Sequence, residues 1–162
     1  MTETYAGYAP PRERPPFAAY ATFASIFHAA MAVAVAAAKR SGRDLPQRVE
    51  AGDVLLIGAA SYQLSRLITK KKVTAFVRAP FTELEGKGGP AELEERPRGS
   101  GLRRAMGELL VCPYCLAQWV VGAFTVGLVY APRLTRLLTA MWTAHAIADA
   151  AQLAYSAAER KT

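Results

Sequence analysis

The stretch that most restricts what this chain can fold into runs from Glu108 to Ala131, reading ELLVCPYCLAQWVVGAFTVGLVYA. After its opening acid it carries no charged side chain. A helix rising ~1.5 Å per residue over that length crosses a hydrocarbon layer of ~30 Å. The stretch predicts a membrane span.

The rest of the chain supports the same solvent. Its 162 residues fit about one domain. Hydrophobic residues make up 52% and charged residues 20%, and the two classes are segregated along the chain. Segregation of this kind marks a membrane protein better than the average does. The net charge of +7 would suggest nucleic acid in a soluble protein. Here the cations border apolar runs, where they meet anionic lipid headgroups. The expected partner is therefore the lipid bilayer, with other membrane proteins or a second copy beside it, and no nucleic acid. Two cysteines are too few for a disulfide framework. Pro10, Pro11, Pro15 and Pro16, without a small-residue cleavage site, argue against a cleaved leader.

Four spans are predicted, making an all-α integral membrane fold. Met1 to Pro16 reads as a flexible polar tail. Phe17 to Ala38 is uncharged and rich in alanine, which suits close helix packing more than strong insertion. Val54 to Thr69 is a short second span, stopped by Lys70, Lys71 and Lys72. The segment 70–107 then reads as a long loop. Its first part, VTAFVRAPFTELEG, is expected against the membrane surface, and Gly86 to Gly101 as a mobile connection of alternating charge. Leu102 to Leu110 reads as helical, leading into a third span over 109–131. Pro132 and Arg133 turn the chain into a fourth span, 134–158, and residues 159–162 end it.

Counting cations outside the spans orients the chain. The tail, the long loop and the C-terminus together hold thirteen lysines and arginines, and the two other connections hold six. Both termini and the long loop are thus expected on the cytoplasmic side of a bacterial inner membrane.

Two groups of residues carry chemistry. Cys112 and Cys115 flank Pro113 and Tyr114 near the cytoplasmic end of the third span. Pro113 has no N–H for the Leu109 carbonyl, so either the helix kinks there or a new helix begins with Cys112 as its N-cap. In the second geometry the thiol faces free N–H groups and the positive end of the helix dipole, which favours the reactive thiolate. Two small side chains packed at a kink, kept reduced by the cytoplasm, are the plainer alternative. A zinc site would have to recruit His28 and His145. His145 lies deeper than Cys112 by on the order of 10 Å, so no metal and no cofactor is expected.

The second group is polar: Arg66, Glu108 and Asp149. Buried charges in a bilayer cost ~2.5–3.5 kcal/mol each unless paired, so Arg66 is expected to clamp Glu108 or Asp149. In one continuous helix Glu108, Cys112, Cys115 and Trp119 would share a stripe.

The residues AASYQLSRLITKKKVTAFVRAPFTELEG (59–86), EERPRG (94–99) and GELLVCPYCLAQWV (107–120) resemble a family of small bacterial membrane proteins known as domain of unknown function thirteen-sixty. The resemblance covers Asp53 to the C-terminus. It implies an integral membrane protein in which Arg66, Arg78, Pro80, Glu108, Cys112, Cys115 and Trp119 occupy motif positions, and it supplies no activity, cofactor or substrate. The function expected from all of this is a non-catalytic assembly or interaction module. Thiol redox or metal-responsive chemistry at the cysteines is the alternative, and a small pore or transporter the third.

Overall fold

Proline and charge set the helix ends. The computed structural model describes residues 7–10 and 14–160. Parts of both expected tails, including Arg12 and Lys161 of the cation count, lie outside the described residues. Helix α1, Phe17–Arg40, starts directly after Pro15 and Pro16. It ends on Lys39 and Arg40, cations at the negative end of the helix dipole. Helix α2, Ala51–Lys70, has Asp53 in its first turn and Lys70 in its last, the favourable arrangement at both ends.

The long connection departs from the expected loop. After a 3-10 turn at Lys72–Thr74 comes a short helix α3, Ala75–Arg78. Strands β1, Thr82–Lys87, and β2, Leu93–Pro97, then pair antiparallel. The chain is therefore mostly helical with one small sheet, where the sequence predicts helices alone. The charge alternation read as a solvated loop is a cross-strand ladder. Glu83 stands opposite Arg96 and pairs with it at 2.9 Å.

Arg78 anchors this hairpin. Its side chain is fully buried and pairs with Glu95 of β2. Its Nη1 donates to the carbonyls of Ile68 at 2.6 Å and Lys71 at 3.1 Å, capping the end of α2. Arg98 and Arg103 both donate to the Pro80 carbonyl. Helix α4, Gly101–Val111, lies so close that a Cβ on Gly107 would stand 2.5 Å from the Phe81 carbonyl oxygen.

Helix α5, Pro113–Tyr130, and helix α6, Pro132–Glu159, each begin with proline at the first helical position, where its missing N–H costs nothing. The four long helices form two parallel pairs. Tyr20, Phe27 and Ala34 of α1 meet Glu108, Trp119 and Tyr130 in the same order, so α1 runs parallel to α5. Asp53, Leu56 and Gln63 of α2 meet Arg136, Thr143 and His145, so α2 runs parallel to α6. Helix α2 packs against both α5 and α6. One end of the molecule holds the hairpin, α4 and the start of α5; the other holds the two short turns.

The partition of side chains is inverted relative to a water-soluble protein. The largest fully buried side chains are Arg78, Gln63, Thr69, Thr139, Ser61 and Ser65. Leu55, Val33, Leu137 and Ile147 are exposed on the outside. Buried positions on α2 recur every four residues through Asp53, Ile57, Ser61, Ser65 and Thr69, and this stripe of small or polar groups lets α5 and α6 approach. Among the described residues two helices, α1 and α5, are long and apolar enough to cross a membrane, and only 6% of either apolar stretch is buried. A soluble core helix of such composition would be mostly covered.

Candidate functional site at the start of helix α5

The break between α4 and α5 resolves the geometry at Pro113. Helix α4 stops at Val111, and Cys112 takes an extended conformation at φ −103° and ψ 103°. The third span is therefore not one helix over 109–131; the proline starts a new one. Cys112 is its N-cap, and its Sγ accepts from the Cys115 N–H at 3.2 Å. The sulfurs of Cys112 and Cys115 are joined as a disulfide with a Cα separation of 5.3 Å, where the sequence leaves a reactive thiol and two packed, reduced thiols as alternatives.

Behind Cys115 lies a cavity of about 340 Å³ between α1, α4 and α5. Phe23, Phe27, Leu109 and Trp119 form most of its wall, and Tyr20, Glu108 and Gln118 supply the polar groups. Phe27 meets Trp119 edge to face at 5.4 Å. Gly122 allows that approach, because a Cβ there would stand 2.9 Å from the Phe27 ring. The Tyr20 hydroxyl donates to Glu108, whose other oxygen is held by Arg104 at 2.9 Å. The predicted stripe thus survives in altered form. Glu108, Cys115 and Trp119 face one cavity even though the helix is broken, and Cys112 serves as its cap.

The predicted polar clamp is different from the one that forms. Arg66 pairs with neither Glu108 nor Asp149. It makes two bonds to Glu92, at 2.9 and 3.0 Å. Glu92 sits between the two strands, and the hairpin folds this buried carboxylate over the end of α2. Nothing flagged Glu92 in the sequence, because its surroundings read as loop. Asp149 instead accepts from the Gln63 amide at 2.8 Å and lies 3.6 Å from Lys71. The same amide nitrogen is 2.8 Å from His145 Nδ1. Gln63, with its side chain almost fully buried, is the residue sequence reasoning missed here. A groove of about 510 Å³ takes in Arg66, Glu92 and Asp149 together, and Glu108 belongs to the other cavity.

His28 is bound to its own helix through the Ala24 carbonyl, 2.7 Å away. Among the described residues no group of three or more histidines, cysteines or acids is arranged to hold a metal. Arg78 and Pro80 serve the hairpin anchor described above. At the turn end, Arg136 holds Asp53 through two bonds of 2.9 and 2.8 Å.

Comparison with curated proteins and with solved structures gives no match. A family model described as protein of unknown function (DUF1360) matches residues 56–155, which include both polar groups, the hairpin and the cysteine pair. The chain belongs to the DUF1360 family.

Proposed function

We propose that this is a four-span protein of the cytoplasmic membrane whose Cys112–Cys115 pair works as an exchangeable dithiol and disulfide. The observation that carries the reading is the sulfur at the N-cap of α5, with its partner open to a cavity. A helix N-terminus favours the Cys112 thiolate over the thiol. That thiolate attacks one sulfur of a partner disulfide, and the partner's other sulfur leaves as a thiolate. Cys115 then loses its proton and attacks Cys112 Sγ, releasing the second partner sulfur. Two electrons pass to the partner and the internal disulfide forms. An assembly module without chemistry needs only small side chains at this joint, and uses neither the sulfur cap nor the cavity.

Four crossings are supported by the alternating directions of α1, α2, α5 and α6 and by the apolar exterior of all four. The polar residues of α2 and α6 face one another, which lets two modestly apolar helices lie in lipid. Exposed Val73 and Phe76 beside Lys71 and Lys72 suit the headgroup layer. The cation count supports a cytoplasmic position for the hairpin and the cysteines.

Equilibration of the purified protein in detergent against glutathione and dithiothreitol buffers tests the thiol reading. Mass shifts on alkylation should show one two-electron transition within the roughly −120 to −270 mV spanned by thiol carriers. A pair still oxidised below about −300 mV would be a structural brace instead.

A further inference from the structure

We propose that the cavity beside Cys115 takes the ring of a lipid-soluble quinone, which accepts the electrons of the Cys112–Cys115 dithiol. This rests on the thiol reading above: the same exchange run in reverse lets a partner dithiol reduce the pair, and the quinone is a second acceptor, in lipid, for the electrons the pair then holds.

Position selects the class of acceptor. The cavity is bounded by α1 and α5, the two helices apolar enough to cross a membrane, and by α4 at the hairpin end. An acceptor reaching it through the bilayer must dissolve in lipid. The walls select a planar ring: Phe23, Phe27 and Trp119 offer aromatic faces and edges. The polar groups select oxygen substituents. Gln118 can donate to a ring carbonyl, and Tyr20 and Glu108 form a hydrogen-bonded pair on the same lining. A simple acyl chain would leave those groups unmatched. The volume of about 340 Å³ falls at the small end of the ~300–1,000 Å³ usual for small-molecule sites. Finally, Cys115 is itself part of the wall, which sets one of the two reacting cysteines beside a bound ring.

The chemistry balances. Cys112–SH and Cys115–SH together lose two electrons and two protons as the S–S bond forms. The quinone gains both, its two carbonyl oxygens becoming the hydroxyls of a quinol. Tyr20 and Glu108 are the proton-carrying groups on the wall, able to relay a proton to a ring oxygen.

The test uses the full chain in nanodiscs, reduced and then freed of reductant under anaerobic conditions. Decylubiquinone is the probe, because its fully substituted ring gives thiols no open carbon to add to. Quinol absorbance and loss of alkylatable thiols should rise together, one quinol for each disulfide, and the rate should saturate with quinone. Trp119→Ala and Glu108→Gln should each slow this reaction by about tenfold more than they slow oxidation of the same dithiol by glutathione disulfide. The Cys112→Ser/Cys115→Ser variant in a Trp142→Phe background should still bind the probe, read as saturable quenching of Trp119. A dithiol oxidised by glutathione disulfide and inert to decylubiquinone would overturn the quinone proposal alone. So would oxidation by quinone at equal rates in Trp119→Ala, or absence of quenching. A dithiol inert to both oxidants would overturn the thiol reading beneath it.

Discussion

The two parallel helix pairs solve the same problem with opposite materials. Between α1 and α5 Phe27 packs on Trp119, with glycine at Gly122 where the ring seats, and the Tyr130 hydroxyl donates to the Ala34 carbonyl. Between α2 and α6 they are polar: Asp53 with Arg136, the Leu56 carbonyl with Thr143, and Gln63 with His145 and Asp149. In lipid, association gains little from burying apolar surface, so helices are joined by close packing or by hydrogen bonds. The apolar pair leaves space at its hairpin end, and the cavity with the disulfide occupies it. The polar pair also borders a groove, of about 510 Å³, but carries no cysteine, and its hydrogen bonds read as framework. Function and framework are thus separated by helix pair.

The largest effect should come from the anchor that serves the polar half. Arg78→Leu removes a buried cation and strands Glu95, so unfolding in detergent should fall by about 3–5 kcal/mol. Trypsin should then cut within 82–97, where the native hairpin resists. A loss below about 1 kcal/mol would mean that the hairpin does not depend on this arginine.

Next come two changes that should affect one pair each. Gly122→Leu forces a side chain against the Phe27 ring and should cost about 1–3 kcal/mol by overpacking. It should also block the cavity while leaving the α2–α6 bonds intact. Gln63→Leu deletes the bond to Asp149 and should cost a similar ~1–3 kcal/mol, with thiol exchange unchanged. Equal damage to thiol exchange from both variants would erase the separation between the halves.

A double-mutant cycle on Arg66 and Glu92 should give coupling of about 0.5–1 kcal/mol, the low end because Arg66 is partly open to solvent. Arg66 with Glu108 should be additive. Coupling to Glu108 would restore the clamp that the sequence predicts and the structure does not contain.

These contrasts also explain what the sequence disclosed. α1 and α5 are legible because their apolar residues face outward without interruption. α2 and α6 were legible as helices, and their polar residues announced pairing; the identity of the partners was hidden. Glu92 reaches Arg66 only because Arg78 and Glu95 fold the hairpin over α2, a tertiary event that local charge alternation does not encode. Pro113 left two geometries open, and the extended backbone at Cys112 chose between them. Glu108, Cys115 and Trp119 line one cavity although Cys112 breaks the helix between them.

The proposal that four helices cross the membrane carries the most weight, because among the described residues α1 and α5 alone show it by hydropathy. Single cysteines at Leu45→Cys and Lys87→Cys, in a background lacking Cys112 and Cys115, test it most directly. With four crossings the two positions lie on opposite sides: an impermeant maleimide on intact cells should label position 45 and spare position 87 until the cells are opened. With two crossings α2 and the hairpin remain on one side, and both positions would respond alike, which would contradict the account.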